Sequence, residues 1–182
     1  MPKPLDFYTF PGPNTVKIAA MLAETGLPFT PRLINPEQGE TRMPEFLKIN
    51  PMGQIPFIHD PQGPDGLPVS LGESGAILVY LAEKSGQMLP ARGPDRYEVL
   101  QWVMWQVSNV GPKLSKIPRL KGADDALRDM ILSDIRGVLD ELETRLGGRD
   151  WIAGDDYSIA DLSVWPWYFG AIEFMGLGSM IE

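Results

Sequence analysis

Two adjacent segments of the chain carry residue types that can bind a charged, peptide-like ligand. The first is Gln54-Ile55-Pro56, directly ahead of a short apolar run that predicts a strand. A cis bond before Pro56 would turn the Ile55 backbone outward as an edge that pairs with an extended peptide. A trans proline that opens an edge strand is the alternative, and the motif alone favours it, because cis bonds are a minority even before proline.

The second segment is Glu73-Ser74, at the predicted start of a helix. Exposed amides and the helix dipole favour a carboxylate at such a position, and the Ser74 hydroxyl adds a donor. Glu73 can hold an ammonium group beside it, so the pair fits the head group of an α-amino acid. On spacing alone, a helix N-terminus with a capping serine is the simpler interpretation.

A third segment, Thr9 to Asn14, is dense in turn residues and precedes a helix. Thr9, Asn14 and the amides of the helix start are all possible donors to an anion. His59, in contrast, is the single histidine and is predicted to be a structural or surface residue.

Composition limits the chemistry further, because the chain contains no cysteine. This excludes a disulfide framework, a thiolate metal site, a C-x-x-C redox pair and a cysteine nucleophile. One histidine cannot build a histidine-rich metal site, so we expect no metal cofactor. If the protein handles thiol chemistry, the sulfur must arrive with the substrate.

Charge and hydropathy restrict the partners. Asp and Glu number 24 and Lys and Arg 16, which gives a net charge of −8. Such a chain is a poor candidate for nucleic-acid binding or for an anionic membrane surface. No apolar run approaches the roughly 20 residues of a membrane span, and Met1-Pro2-Lys3-Pro4 lacks the apolar core of a signal peptide. We therefore expect a cytoplasmic protein.

The elements that must position these residues fall into two halves of the 182-residue chain. Up to about residue 85, strand and helix signals alternate and predict the order β-α-β-α-β-β-α, a small mixed sheet with helices in which Pro56–Asp60 and Pro68–Leu71 form a hairpin. In the first helix Asn14 is predicted as the cap, with Val16, Ala19, Ala20 and Ala23 on the apolar face.

Beyond residue 94 the strand signals stop and helical patterns follow. Asp124-Asp125 is predicted as an N-terminal helical turn, where negative charge is favoured. Ser158-Ile159-Ala160-Asp161 is a capping-box pattern that opens an almost wholly apolar and hence buried helix. Pro166 is expected to kink that helix or end its first segment. The predicted domains are 1–86 and 94–182, joined by a linker at 87–93.

Taken together, these motifs resemble the glutathione transferase family. The segments that carry the resemblance are Pro51-Met52-Gly53-Gln54-Ile55-Pro56, Glu73-Ser74-Gly75-Ala76-Ile77-Leu78-Val79-Tyr80-Leu81 and Asp155-Asp156-Tyr157-Ser158-Ile159-Ala160-Asp161. Pro13-Asn14 with Lys17, Leu100-Gln101-Trp102 and Trp105-Gln106-Val107 are similar to the bacterial nu-class branch, whose members often reduce disulfides with glutathione. The resemblance implies an N-terminal thioredoxin-like domain that binds glutathione and an all-helical C-terminal domain that is shorter than usual.

The resemblance also implies a role for each site residue. Ile55, beside a cis Pro56, would pair its backbone with the cysteinyl part of glutathione. Glu73 and Ser74 would bind the γ-glutamyl head. Asn14 would lie near the sulfur.

Three further implications concern the glycyl end, the thiol and the capping box. Gln54 would lie near the glycyl end of glutathione. Asn14, Thr9 and helix-start amides would stabilise the thiolate, the form of the thiol that attacks. Nu-class relatives usually carry a threonine where this chain has Gly12, and Thr9 or Thr15 is the candidate substitute. Ser158 with its capping partner is expected to be structural rather than catalytic.

Two functions follow as hypotheses. The first is a homodimeric enzyme that uses glutathione as cosubstrate on a small electrophile or to reduce a small disulfide, without metal, nucleic acid or membrane. The second is a non-catalytic relative kept as a binding or assembly module, which Gly12 and the short helical half suggest.

Overall fold

The computed structural model describes residues 3–178. The chain forms two compact units, Met1–Gln87 and Met88–Glu182. The first two residues of the N-terminal segment considered above, and the last four of the predicted helical domain, lie outside the described residues. Within the described part of the chain, no helix is both long and apolar enough to cross a membrane.

The first unit has the predicted order of strands and helices. Its regular elements are β1 (Leu5–Thr9), α1 (Pro13–Thr25), β2 (Phe29–Leu33), α2 (Pro44–Ile49), β3 (Phe57–Asp60), β4 (Val69–Leu71) and α3 (Ser74–Ser85). Single 3-10 turns occupy Pro36–Gln38, Glu40–Arg42 and Pro64–Gly66. The prediction of a mixed sheet with helices is therefore confirmed for this half.

Within residues 3–178, four strands form one sheet in the order β2-β1-β3-β4. Strand β1 runs parallel to β2 and antiparallel to β3, with Tyr8 opposite Phe57. Strands β3 and β4 form the predicted antiparallel hairpin, in which Ile58 lies opposite Leu71. This register decides which chain segments meet at each edge of the sheet.

Alternating side chains of β1 face the two sides of the sheet. Leu5 and Phe7 are buried on one side. Tyr8 projects from the other side, where its ring packs against Phe46 of α2 and against Phe57. Helices α1 and α3 pack against each other, and α3 contacts β3.

Helix α1 corrects two sequence predictions. Its cap is Gly12, and Asn14 is the second residue of the helix instead of the cap. Its buried face carries Thr15, Lys17, Ile18, Met21 and Leu22. The predicted face is wrong, since Val16, Ala19 and Ala23 are exposed and Ala20 is half-buried. The large apolar side chains decide the orientation, because they remove far more apolar area from water than alanine does. Gly26 ends the helix in the left-handed conformation, as C′ glycines do.

The second unit is all-helical in its regular elements. They are α4 (Pro94–Trp105), which continues through a π-turn (Gln106–Val110) into α5 (Gly111–Leu114), then α6 (Asp125–Leu146) and α7 (Ile159–Glu173). A 3-10 turn occupies Ile117–Leu120. The core cluster lies between these helices and includes Val110, Leu114, Ile131, Ile135 and Trp167.

The predicted helix starts of the second unit are confirmed. The Asp124 carboxylate accepts a hydrogen bond from the Leu127 amide and caps α6. At α7, the Ser158 hydroxyl accepts from the Ala160 amide and the Asp161 carboxylate accepts from the Ser158 amide, which completes a capping box. The helix runs on through Pro166, so of the two expectations for this proline the end of a first segment is wrong, and the kink stays a prediction.

Candidate functional site

The sheet register brings the three candidate segments to one edge. Strand β1 ends at Thr9, and β3, which is antiparallel to it, begins at Phe57 beside Tyr8. Strand β4 ends at Leu71, beside the second residue of β3. The loop after β1, the segment before β3 and the segment after β4 therefore meet at the same edge.

The Gln54-Ile55-Pro56 segment is held by the turn that precedes it. The Asn50 side chain is buried, and its Nδ2 donates to the Gln54 carbonyl at 2.7 Å. Gly53 has φ of 61°, and a Cβ there would lie 2.8 Å from the Thr41 carbonyl oxygen, so this turn requires glycine. The Ile55–Pro56 bond is cis, the conformation that the resemblance implied, and both residues lie outside the sheet ladder.

Glu73 and Ser74 form the predicted helix start. Glu73 precedes α3 with φ of 61° and ψ of 110°, a conformation that is rare outside glycine and concentrated at functional sites. Ser74 is the first residue of the helix and is 8% exposed, whereas Glu73 is exposed. The Glu73 side chain therefore faces solvent beside a helix N-terminus, where a zwitterionic head group can meet both a carboxylate and N–H donors.

Three side chains from two helices meet at Ser74. Lys17 Nζ donates to Ser74 Oγ at 3.3 Å, and Ser74 Oγ donates to Asn14 Oδ1 at 3.4 Å. Lys17 is 0% exposed, and burial lowers its pKa to about 7. The two predicted site residues Asn14 and Ser74, 60 positions apart in the chain, are thus in direct contact.

The donors proposed to replace a hydroxyl at Gly12 differ in their surroundings. The Thr15 side chain is buried and its hydroxyl binds the carbonyls of Phe10 and Gly12 at 2.5 and 2.8 Å. Because a hydroxyl has a single proton, Thr15 holds the loop together and is not available to a thiol. Thr9 ends β1 at the site edge with a half-buried side chain.

Two titratable side chains of the sheet, Tyr8 on β1 and His59 on β3, have structural surroundings. Burial and the nearby Asp6 carboxylate raise the pKa of Tyr8, so its hydroxyl stays protonated at neutral pH. His59 lies on β3, with Nδ1 2.9 Å from Ser70 Oγ on the neighbouring strand. Among residues 3–178, no group of three or more histidine or carboxylate side chains can hold a metal ion.

The sequence motif that contains Lys17 does not predict the burial of its side chain. A usable signal was present, because Lys17 lies three residues after Asn14 and four before the buried Met21, which places all three along one side of a helix. A lysine on the buried side of a helix needs a polar partner, and Ser74 provides it.

Comparison with known proteins identifies the family on both halves of the chain. Residues 3–83 match the model of the glutathione S-transferase N-terminal domain, and residues 125–179 match that of the C-terminal domain. The disulfide-bond oxidoreductase YfcG of Escherichia coli is 38% identical over 90% of this chain and 78% of its own length. The chain belongs to the glutathione S-transferase family.

Other relatives indicate the branch of this glutathione S-transferase. The disulfide-bond oxidoreductase YghU of Escherichia coli is 31% identical over 97% of the chain and 67% of its own length. Since YfcG and YghU are both named disulfide-bond oxidoreductases, they confirm the predicted resemblance to the nu-class, disulfide-reducing type.

Solved structures of bacterial glutathione transferases share the fold and contain the expected ligand. One from Burkholderia graminis is 43% identical, with a TM-score of 0.93 over 98% of this chain and 77% of its own, and has two glutathione molecules bound per subunit. One from Pseudomonas putida is 37% identical, with a TM-score of 0.93 over 98% of this chain and 80% of its own, and has one glutathione disulfide bound per subunit. The thioredoxin-like and all-helical architecture is thereby confirmed.

Proposed function

We propose that this glutathione S-transferase binds glutathione at the edge of its sheet, stabilises the thiolate and uses it to reduce small disulfides. The observation that carries the proposal is the contact between Asn14 and Ser74, which puts a helix-start hydroxyl next to the asparagine assigned to the sulfur. The names of YfcG and YghU, and the glutathione disulfide in the Pseudomonas putida enzyme, support disulfide reduction over conjugation.

Each part of glutathione has a proposed partner. The Ser74 hydroxyl and the first amides of α3 bind the α-carboxylate of the γ-glutamyl group, and Glu73 binds its ammonium. The Ile55 backbone pairs with the cysteinyl residue, as an extended peptide pairs with a strand edge. Gln54 lies toward the glycyl end.

Stabilisation of the thiolate is the chemical role of the remaining residues. A free thiol has a pKa near 8.5 and is mostly protonated at neutral pH. Donors aimed at the sulfur favour the charged form, at about 1.4 kcal/mol for each pKa unit. We assign this role to Asn14, to Thr9 and to the amides at the start of α1.

The reaction balances with glutathione as the only reductant. The bound thiolate attacks one sulfur of the substrate, a new S–S bond forms as the old one breaks, and the leaving thiolate takes a proton. A second glutathione thiolate attacks the glutathione sulfur of the mixed disulfide and releases the second thiol and glutathione disulfide. Because the chain contains no cysteine, no protein thiol shares in the exchange.

Calorimetric titration with glutathione tests the proposal. The parent protein is expected to bind, and Ser74→Ala is expected to weaken binding about tenfold, the cost of one hydrogen bond to a charged group. Ser85→Ala is the matched control, because Ser85 ends the same helix and its hydroxyl bonds locally, donating to the Ala82 carbonyl and accepting from the Gln87 amide. No binding by the parent, or equal binding by the Ser74 variant, would contradict the proposed site.

A turnover assay in the same experiment separates the two hypotheses. With 2-hydroxyethyl disulfide we expect one glutathione disulfide per disulfide reduced. Faster turnover of a chloronitrobenzene would favour conjugation. Binding of glutathione without either reaction would favour a non-catalytic binding module.

We further propose that the protein works in the cytoplasm as a homodimer. Glutathione-dependent reduction needs the reduced glutathione pool that the cytosol maintains. The dimer follows from the family resemblance.

A further inference from the structure

Lys17 is buried beside the proposed glutathione site and takes no part in the proposed reaction. Its side chain is 0% exposed, in the first turns of α1. A buried lysine is costly unless a polar group receives its N–H donors. The partner that receives one of them is Ser74 Oγ, the hydroxyl assigned to the γ-glutamyl carboxylate.

The hydrogen bond from Lys17 fixes how the Ser74 hydroxyl can act. A hydroxyl carries one proton and two acceptor lone pairs. When Lys17 Nζ occupies a lone pair, the proton must point elsewhere, and in this structure it points to Asn14 Oδ1. The bond from Lys17 therefore restricts the rotation of the Ser74 hydroxyl, whose proton is directed away from Lys17 Nζ.

The hydrogen bond from Ser74 to Asn14 is easily exchanged. Ser74 Oγ and Asn14 Oδ1 are 3.4 Å apart, beyond the usual range for a hydroxyl donor. A carboxylate accepts a hydrogen bond at shorter distance and about twice as strongly as a neutral amide. An arriving carboxylate therefore competes well for the Ser74 proton, and this exchange does not require Lys17 Nζ to move, because Lys17 contacts a lone pair of the hydroxyl.

We propose that Lys17 is a positioning residue for the γ-glutamyl carboxylate and acts through Ser74. This inference rests on the proposed function, since it assigns Lys17 to the same glutathione site. Donation from Lys17 withdraws electron density from the hydroxyl and makes it a stronger donor to the anion. Protonated and neutral lysine both have N–H groups to donate, so the arrangement persists on either side of the Lys17 pKa.

The test compares glutathione affinities of four variants by calorimetry. Lys17→Met keeps the length and apolar character of the side chain and removes its donors; we expect affinity to fall about tenfold. Lys17→Arg keeps N–H donors and is expected to lose less. Lys3→Met is the matched control, because Lys3 is exposed, and its affinity should equal that of the parent. The fourth variant combines Lys17→Met with Ser74→Ala.

Two readouts separate positioning from mere packing. In the Ser74→Ala background, Lys17→Met should have little further effect, because its partner hydroxyl is gone. With 4-aminobutyryl-cysteinylglycine, which lacks only the α-carboxylate of glutathione, parent and Lys17→Met should bind equally. An equal loss in both backgrounds, or an undiminished loss with the analogue, would overturn the inference.

Separate control measurements test whether each variant is folded and whether the proposed function holds. Circular dichroism and the urea midpoint show whether each variant is folded, and a folded Lys17→Arg that binds as weakly as Lys17→Met would also overturn the inference. If the parent itself fails to bind glutathione, the proposed function fails. If the parent binds and folded Lys17→Met binds equally well, only the role of Lys17 fails.

Discussion

Burial of the Lys17 side chain costs the folded protein free energy at neutral pH. Burial lowers its pKa to about 7, whereas a solvated lysine in the unfolded chain titrates near 10.4. Between these two values the unfolded chain holds a proton that the folded chain has released. The free energy of unfolding therefore gains a contribution that rises with pH across this window, and the cost is fully present below about pH 7.

This pH dependence of the free energy of unfolding predicts how the stabilities of the parent and Lys17→Met differ. Relative to the variant, the parent should become more stable as the pH is raised from 7 to 9, with a slope of at most about 1.4 kcal/mol per pH unit. Urea unfolding of both proteins at three pH values measures the difference, and groups that titrate alike in both cancel. Lys3→Met, at an exposed position, should show a difference from the parent that is flat with pH. A flat difference for Lys17→Met would contradict the burial of a titrating lysine.

At the scale of single residues, the sequence indicated two of the three side chains that meet at Ser74. Asn14 and Ser74 were predicted because polar residues at helix starts offer donors to anions, which is a local property. The burial of Lys17 depends on which face of α1 packs against α3, and that is decided by contacts between distant segments. The occupation of the Thr15 hydroxyl by two loop carbonyls is equally a property of the folded loop.

At the scale of elements, the sequence predicted the helix caps better than it predicted which face of a helix is buried. The capping box at α7 and the aspartate cap of α6 are local patterns in which side chain and amide are at most three residues apart. The apolar face of α1 was wrong, because alanines at helical spacing fit a periodic pattern without burying much area. The spacing of apolar residues predicts the buried face of a helix only when the size of each side chain is taken into account.

The α7 cap gives a prediction for stability. Asp161 accepts hydrogen bonds from the amides of Ser158 and Ile152, and Ile152 is buried. Asp161→Ala should lower the free energy of unfolding by about 2 kcal/mol or more, since it removes a cap and leaves a buried amide without its acceptor. Chemical unfolding followed by circular dichroism measures the change.

Asp156→Ala is the matched control for the cap, since Asp156 is an exposed aspartate just before the same helix. We expect it to change stability by less than about 0.5 kcal/mol. Equal effects of the two substitutions would show that negative charge near the helix start, and not the capping geometry, stabilises α7.

At the scale of the whole molecule, the register of the sheet brings together site segments that lie far apart in the sequence. The sequence predicted the order of strands and helices, because periodicity and turn residues are local signals. It predicted the hairpin of β3 and β4, which are close in the chain, but not how β1 and β2 pair or in which register, since that pairing joins residues far apart in the chain. The family resemblance supplied that arrangement, and the register shows why Thr9, Ile55 and Ser74 meet at one edge.

This arrangement predicts where glutathione protects the backbone from hydrogen exchange. With saturating glutathione, amides in residues 10–17, 52–57 and 73–77 should exchange more slowly, because binding stabilises the site and suppresses local opening. The other end of β3 is the internal control. There Asp60 is held by Tyr80 and Lys84 at 2.6 and 2.7 Å, away from the proposed site, and residues 60–66 should exchange at an unchanged rate. Mass spectrometry of peptides from the whole chain measures both regions in one experiment.

The pattern of protection, rather than its size, decides the outcome. Slower exchange in all three segments together is what a ligand spanning the sheet edge must produce, since those segments meet only there. Protection of residues 73–77 alone would indicate an anion at a helix N-terminus and would contradict a bound tripeptide. Protection of residues 60–66 to the same degree would indicate a general stabilisation of the unit, and would place glutathione away from the edge formed by Thr9, Ile55 and Ser74.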